Sequence, residues 1–212
     1  MPTEALAFID FETTGLSPDS GDRLIEVGVA VMESASLQII DRYQSLINPG
    51  RSIPYFVTEL TGISASDVRG APSANSVLQE LHSFLGATPL VAHNASFEKR
   101  FLDAEYSRVG LQRQQELICT MRVARRVYPN APNHKLGTLI DYARVPRSGR
   151  FHRALDDAEM TAGLWAEMCK RVSQDYGLNN VSDEFMRKIQ SVPVKGGITN
   201  LLSPGLSGVS CQ

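Results

Sequence analysis

Cysteine is scarce in this chain: three in 212 residues. Cys119, Cys169 and Cys211 are far apart, odd in number and form no Cys-x-x-Cys. That excludes a disulfide framework and a thiolate zinc site and leads to the expectation of a reducing, cytoplasmic setting. Long apolar runs are also missing. None approaches the ~20 residues of a membrane helix, and the mean hydropathy is −0.14, so no membrane partner is expected. The N-terminus lacks a basic region, and Asp10 and Glu12 interrupt its one apolar stretch, so no secretory signal is expected. Net charge is nearly absent, −2 at pH 7, which on its face argues against a nucleic-acid binder.

What is present changes that last point. Residues 1–98 carry a net charge of −8, residues 99–153 carry +8, and the remainder −2. An acidic half is followed by a basic segment, and the total conceals both. The 42% hydrophobic content is enough for a globular core. The expected organisation is a domain over residues 1–178, then a short helix and a flexible Gly/Ser/Pro-rich tail over residues 179–212.

Three strands come first by pattern: 5–10, 24–32 and 37–47, separated by turn-forming segments, as in an antiparallel meander. In the second strand, LIEVGVAVM, Glu26 is the one polar intrusion. Helical spacing then predicts helices over 74–85, with Ser73 as cap, and over 95–109, 121–128, 136–143, 154–176 and 183–190. Short strands are expected at 89–92 and 117–119. The fold class is α/β: a mixed sheet flanked by helices.

Asp10 and Glu12 end the first strand, two residues apart and therefore on one face. Two carboxylates on an apolar strand call for a cation, and hard oxygen ligands suit Mg²⁺ or Mn²⁺. A second polar group, His93-Asn94, follows a strand and leads into a helix with Glu98 in its first turn. A third, His152, precedes a helix whose first turn carries Asp156 and Asp157. Taken singly, each has a plainer reading as a solvated strand end or as compensation of a helix dipole. Together, four acids and a histidine at element ends form the set that divalent-metal phosphoryl chemistry needs. A neutral histidine can take a proton from the attacking water.

These segments resemble the motifs of a known family. Phe8-Ile9-Asp10-Phe11-Glu12-Thr13-Thr14-Gly15-Leu16, His93-Asn94-Ala95-Ser96-Phe97-Glu98 and His152-Arg153-Ala154-Leu155-Asp156-Asp157-Ala158 are similar, in order and spacing, to the three motifs of the DEDDh 3′–5′ exonucleases. These are ribonuclease H-like proteins that include the DnaQ-like proofreading subunits. Ile47-Asn48-Pro49, Leu60-Thr61-Gly62-Ile63 and His134-Lys135-Leu136-Gly137-Thr138-Leu139 add to the likeness, which spans about residues 4–175. The resemblance implies a ribonuclease H-like mixed five-stranded sheet and release of nucleoside 5′-monophosphates from single-stranded or frayed 3′ ends. It implies two Mg²⁺ (or Mn²⁺) held by Asp10, Glu12, Glu98 and Asp157, with His152 as general base. Thr13, Thr14, Gly15, Leu16, Thr61, His93, Asn94 and Phe97 would bind the substrate's terminal nucleotides. Asp156 falls outside the ligand pattern and is assigned to capping or support.

Glu98 departs from the family, which has Asp there. Its carboxylate reaches ~1.5 Å further, so it either ligates directly or alters the second metal site. The expected partner is a single-stranded DNA or RNA 3′ end, with DNA favoured. An RNA-trimming exonuclease and an inactive binding module are the alternatives. A DNA polymerase and a second copy of the chain are further candidate partners. The basic segment would supply phosphate contacts, with residues 147–150 as a mobile loop beside His152. Two bound divalent cations would turn the net charge from −2 to about +2, making nucleic-acid binding conditional on metal.

Overall fold

The computed structural model describes residues 4–146, 149 and 151–202. Its centre is β1 (Ala5–Thr13), hydrogen-bonded to an antiparallel β2 (Leu24–Glu33) on one side and a parallel β4 (Leu90–Ala92) on the other. With β3 (Gln38–Leu46) and β5 (Leu117–Cys119) the order is β3-β2-β1-β4-β5. The expected mixed five-stranded sheet is borne out. β1 and β2 are covered on both faces, which is why their sequences read as near-continuous apolar runs. β3 is an edge strand and is largely exposed.

Alternation along β1 divides the core. Ala7, Ile9 and Phe11 point toward α3 (Ala74–Leu85) and α4 (Ala95–Arg108), packing with Leu78, Leu81, Phe101 and Leu102. Leu6 and Phe8 point the other way, toward α5 (Thr120–Val127), α6 (Leu136–Tyr142) and α7 (Ala154–Tyr176). α7 spans the middle of that face, and Trp165 meets Phe8 edge-on at 6.2 Å. Period-2 geometry puts Asp10 and Glu12 on the same face as Phe8. Both acids therefore point toward α7.

The first turn of α7 lies directly on β2. A Cβ at Gly28 would overlap the backbone of Ala154 and Leu155, and Gly28 pairs with Asp10. The missing side chain lets the helix start come against the strand beside the acids.

Three differences from the sequence pattern appear. Residues 48–72 carry no helical pattern in sequence, yet α1 (Tyr55–Thr61) and α2 (Ala65–Arg69) form there. Each buries one or two side chains, Val57 and Thr61 in α1 and Val68 in α2, so neither shows helical periodicity. They cover Ile25 as a small separate core with Ile63. The Ser64–Asp67 capping box is the local signal that was available for α2. Beyond α8 (Asp183–Ile189), the stretch expected to be a flexible tail begins with α9 (Gly197–Leu202), whose Ile198 is buried in the α7-side core. The tail beyond residue 202 lies outside the described residues.

Gly28→Ala should lower unfolding stability by about 3 kcal/mol, because the overlapping atoms are backbone and cannot move aside like a side-chain tip. Urea denaturation of the variant checks this, and unchanged stability would contradict the close approach.

Candidate active site

The C-terminal end of β1 opens into a cleft of ≈ 490 Å³ lined by Asp10, Glu12, His93, Lys135, His152 and Asp157, among others. Glu12, His152 and Asp157 each offer a ligand atom within 4.8 Å of the others, a grouping that could hold a metal ion. Asp157 is buried in the first turn of α7 and accepts the His152 backbone N–H at 2.9 Å through Oδ2. Its Oδ1 is buried without a partner, as is Oε2 of Glu98. Buried carboxylate oxygens that no protein donor satisfies are what a bound cation would satisfy.

Glu98 comes from the other layer, in the first turn of α4. It does not line the cleft, but it acts electrostatically on Asp10 and is itself raised by Glu12. Burial pushes Glu98 up to about 8 against its own backbone N–H and the pull of Arg100. Burial, then Asp157 and Glu26, pushes Glu12 up to about 8. Burial raises Asp157 to about 6, with Asp156 and Glu26 contributing and the His152 N–H opposing. Asp10 rises well above the usual carboxylate range through burial and then through Glu98, Asp157, Glu12 and Glu26. Burial leads at all four acids and neighbouring carboxylates add to it, and a bound cation would relieve both.

His93 lies in the cleft but is committed internally. Nε2–H donates to the His134 carbonyl at 2.9 Å, so Nδ1 accepts from the Thr120 hydroxyl at 2.9 Å. Burial lowers its pKa to about 4, so it stays neutral. It ties β4 to the segment carrying Lys135 rather than presenting a free nitrogen. His152 differs: it is exposed, and its backbone is left-handed at φ 64°.

The remaining expected substrate residues stand outside the cleft lining. Thr13 donates to the Gly15 carbonyl at 2.5 Å. The Thr14 hydroxyl accepts the Arg23 N–H at 3.0 Å. Gly15 lies so close to Asp22 that a side chain would overlap its carboxylate. Leu16 is 76% exposed. This loop is tied to α4 by Glu105, fully buried and bound by Arg23 at 2.7 and 3.0 Å and by Arg108 at 2.9 Å. Asn94 is exposed at φ 65°, and Phe97 packs on Phe101 at 4.9 Å. Thr61 is buried, and its hydroxyl donates to the Val57 carbonyl and accepts the Ile63 N–H, so that hydroxyl is committed internally.

The basic segment is partly structural. Lys99 and Arg113 bind Asp103, Arg126 binds the Val192 carbonyl, and Arg153 binds Glu26. Lys135 lines the cleft, and Arg100 lies 6.0 Å from the Phe97 ring centre. Arg147, Ser148 and Arg150 of the expected loop lie outside the described residues, as does Cys211.

The family model RNase_T, described as Exonuclease, matches residues 7–165. The chain belongs to this exonuclease family. It is 38% identical over 175 residues to a DNA polymerase III PolC-type from Streptococcus mutans and 34% identical over 175 residues to the 3′-5′ exonuclease DinG from Bacillus subtilis. Each match covers 82% of this chain, but only 12% and 18% of those proteins. Among solved structures, Exonuclease X in complex with 5′ overhanging duplex DNA aligns with a TM-score of 0.68 at 26% identity, over 87% of this chain and 99% of that one. The nuclease domain of 3′hExo, a DEDDh family member, shares the fold (TM-score 0.69, 20% identity, over 86% of this chain and 97% of that one). The resemblance drawn from the motifs is borne out: the chain is a hydrolase domain of the exonuclease family. Among the described residues no helix is long and apolar enough to cross a membrane.

The raised carboxyl pKa values have a consequence for stability. Between about pH 4.5 and 8 the folded chain holds protons that the unfolded chain releases, so stability falls as pH rises through that window. In EDTA the melting temperature should drop from pH ~5 to ~8, and Mg²⁺ should restore more of it at the higher pH. A melting temperature that climbs across the window in EDTA would contradict the cluster. Glu98→Ala should nearly abolish hydrolysis, whereas Glu98→Asp should keep much of it. Full activity in the alanine variant, measured by mononucleotide release, would remove Glu98 from the site.

Proposed function

We propose that this domain hydrolyses the terminal phosphodiester of single-stranded or frayed DNA 3′ ends, working 3′ to 5′ and releasing nucleoside 5′-monophosphates. The observation that carries the reading is the crowding of Asp10, Glu12, Glu98 and Asp157 at one strand end, with two orphaned carboxylate oxygens, beside an exposed histidine. That donor set fits two Mg²⁺ or Mn²⁺ ions, held by these four acids. When bound, the ions supply a nucleophile at neutral pH and charge compensation for the leaving 3′-oxygen.

The chain's own residues do the rest. His152, exposed where it lines the cleft, accepts the proton of the attacking water. Lys135, exposed in the cleft lining, attracts the phosphate backbone. Neutral His93 holds the Lys135 segment at a set distance from the acids. The loop with Thr13, Thr14, Gly15 and Leu16 offers the terminal nucleotide the exposed Leu16 side chain, while its hydroxyls and the Thr14 N–H are occupied. Asn94 and Phe97, with Arg100 over the ring, border the path of the next nucleotide. DNA is favoured over RNA by the match to a DNA polymerase III PolC-type, which also supports a proofreading setting beside a polymerase.

The test is degradation of single-stranded DNA, of a duplex with a mismatched 3′ end and of short RNA, with Mg²⁺ or Mn²⁺. Mononucleotides should appear from both DNA substrates, and a 3′-phosphate should block release. Preferred cleavage of RNA would overturn the DNA reading. Oligonucleotide binding should weaken in EDTA and with rising salt, as filter binding or fluorescence anisotropy can measure.

A further inference from the structure

Glu26 pairs with Glu12 across β1 and β2 and is fully buried, yet it has no part in the reaction above. Its carboxylate accepts from Arg153 Nη2 at 2.7 Å and Nε at 3.2 Å, from the Ala154 backbone N–H at 3.0 Å and from Gln44 Nε2 at 2.9 Å. Arg153 and Ala154 are the two residues that follow His152. Arg153, the residue just before α7, makes no side-chain cap. Glu26 reaches from the sheet to take one of the helix's unpaired first-turn N–H groups. Arg153 also faces the charges of Glu12, Asp156 and, from α2, Asp67.

His152 needs such support. It sits at φ 64°, a left-handed conformation that a non-glycine residue keeps only where its surroundings impose it. Its ring is exposed, so its aim is set by the backbone beneath it. We propose that Glu26 is a positioning residue for the hydrolytic site: by clamping Arg153 and the Ala154 N–H onto β2, it fixes the backbone that points His152 into the cleft. This rests on the reading of His152 as the base. A carboxylate is required because all four contacts are donors, and a carboxamide would turn its own NH₂ toward at least one of them.

Single-turnover kinetics on a single-stranded DNA oligonucleotide with Mg²⁺ test this, using Glu26→Gln, His152→Ala and the double variant. Arg153→Lys, which keeps the charge but loses the fork, is the second probe should Glu26→Gln fold poorly. Thermal melting establishes which variants fold. Glu26→Gln and Arg153→Lys should each lower the rate constant by about 10- to 100-fold, with half-saturating substrate within about twofold of wild type. In the His152→Ala background Glu26→Gln should have no further effect. A folded Glu26→Gln with wild-type rate, or an equal additional loss on top of His152→Ala, would overturn the proposal. Wild-type activity of His152→Ala would instead overturn the base assignment on which it rests.

Discussion

Like charges gathered at the end of one buried strand are the constraint on which the rest of the structure depends. Asp10, Glu12, Glu98 and Asp157 come from β1, α4 and α7 and converge where burial already disfavours ionisation. In the absence of a cation, protonation is the available relief, because adjacent carboxylates in a low dielectric cannot all ionise. The folded scaffold therefore holds an arrangement that is unfavourable alone and favourable with divalent ions. Stability has to come from elsewhere, and the two cores on either face of the sheet provide it.

Other buried acids, fully paired with arginines, hold elements that carry this set. Glu26 is ringed by four donors and sets the start of α7. Glu105 is fully buried under Arg23 and Arg108 and ties the loop after β1 to α4. Breaking either network would leave a buried charge uncompensated. Neutral His93 does the same without charge, linking β4 to the loop before α6. Each element that carries a candidate site residue is thus anchored to a neighbour by a polar group with internal partners. Arg108 and Arg153, which look in sequence like phosphate contacts, are consumed in these ties, which is why the basic segment is less free than its +8 implies.

Much of this was legible before any coordinates. The apolar runs of β1 and β2, the spacing of α3, α4 and α7, and the acids at element ends each follow from local chemistry, because periodicity and capping are short-range properties. α1 and α2 were not legible, since a helix that buries one or two side chains leaves no stripe. α9 was hidden by its composition, and only contact of Ile198 with the α7-side core makes it a packed element. Thr61 looked available to a ligand, whereas its hydroxyl closes the end of its own helix.

By itself the sequence determined the residue types at the site and the strands and helices that carry them. Asp10 and Glu12 share a face because a strand has period two, and Asp157 lies in a first turn because His152 and Arg153 precede a helical pattern. Only the tertiary structure decided which acids stay bare and which are neutralised. Glu26 and Glu12 are indistinguishable as carboxylates on apolar strands. They differ because Arg153, 127 residues away along the chain from Glu26, docks where Gly28 has no side chain and reaches Glu26 with hydrogen bonds, while it acts on Glu12 through charge alone. Solvation and charge compensation depend on what lies across the sheet, and chain order does not encode that distance.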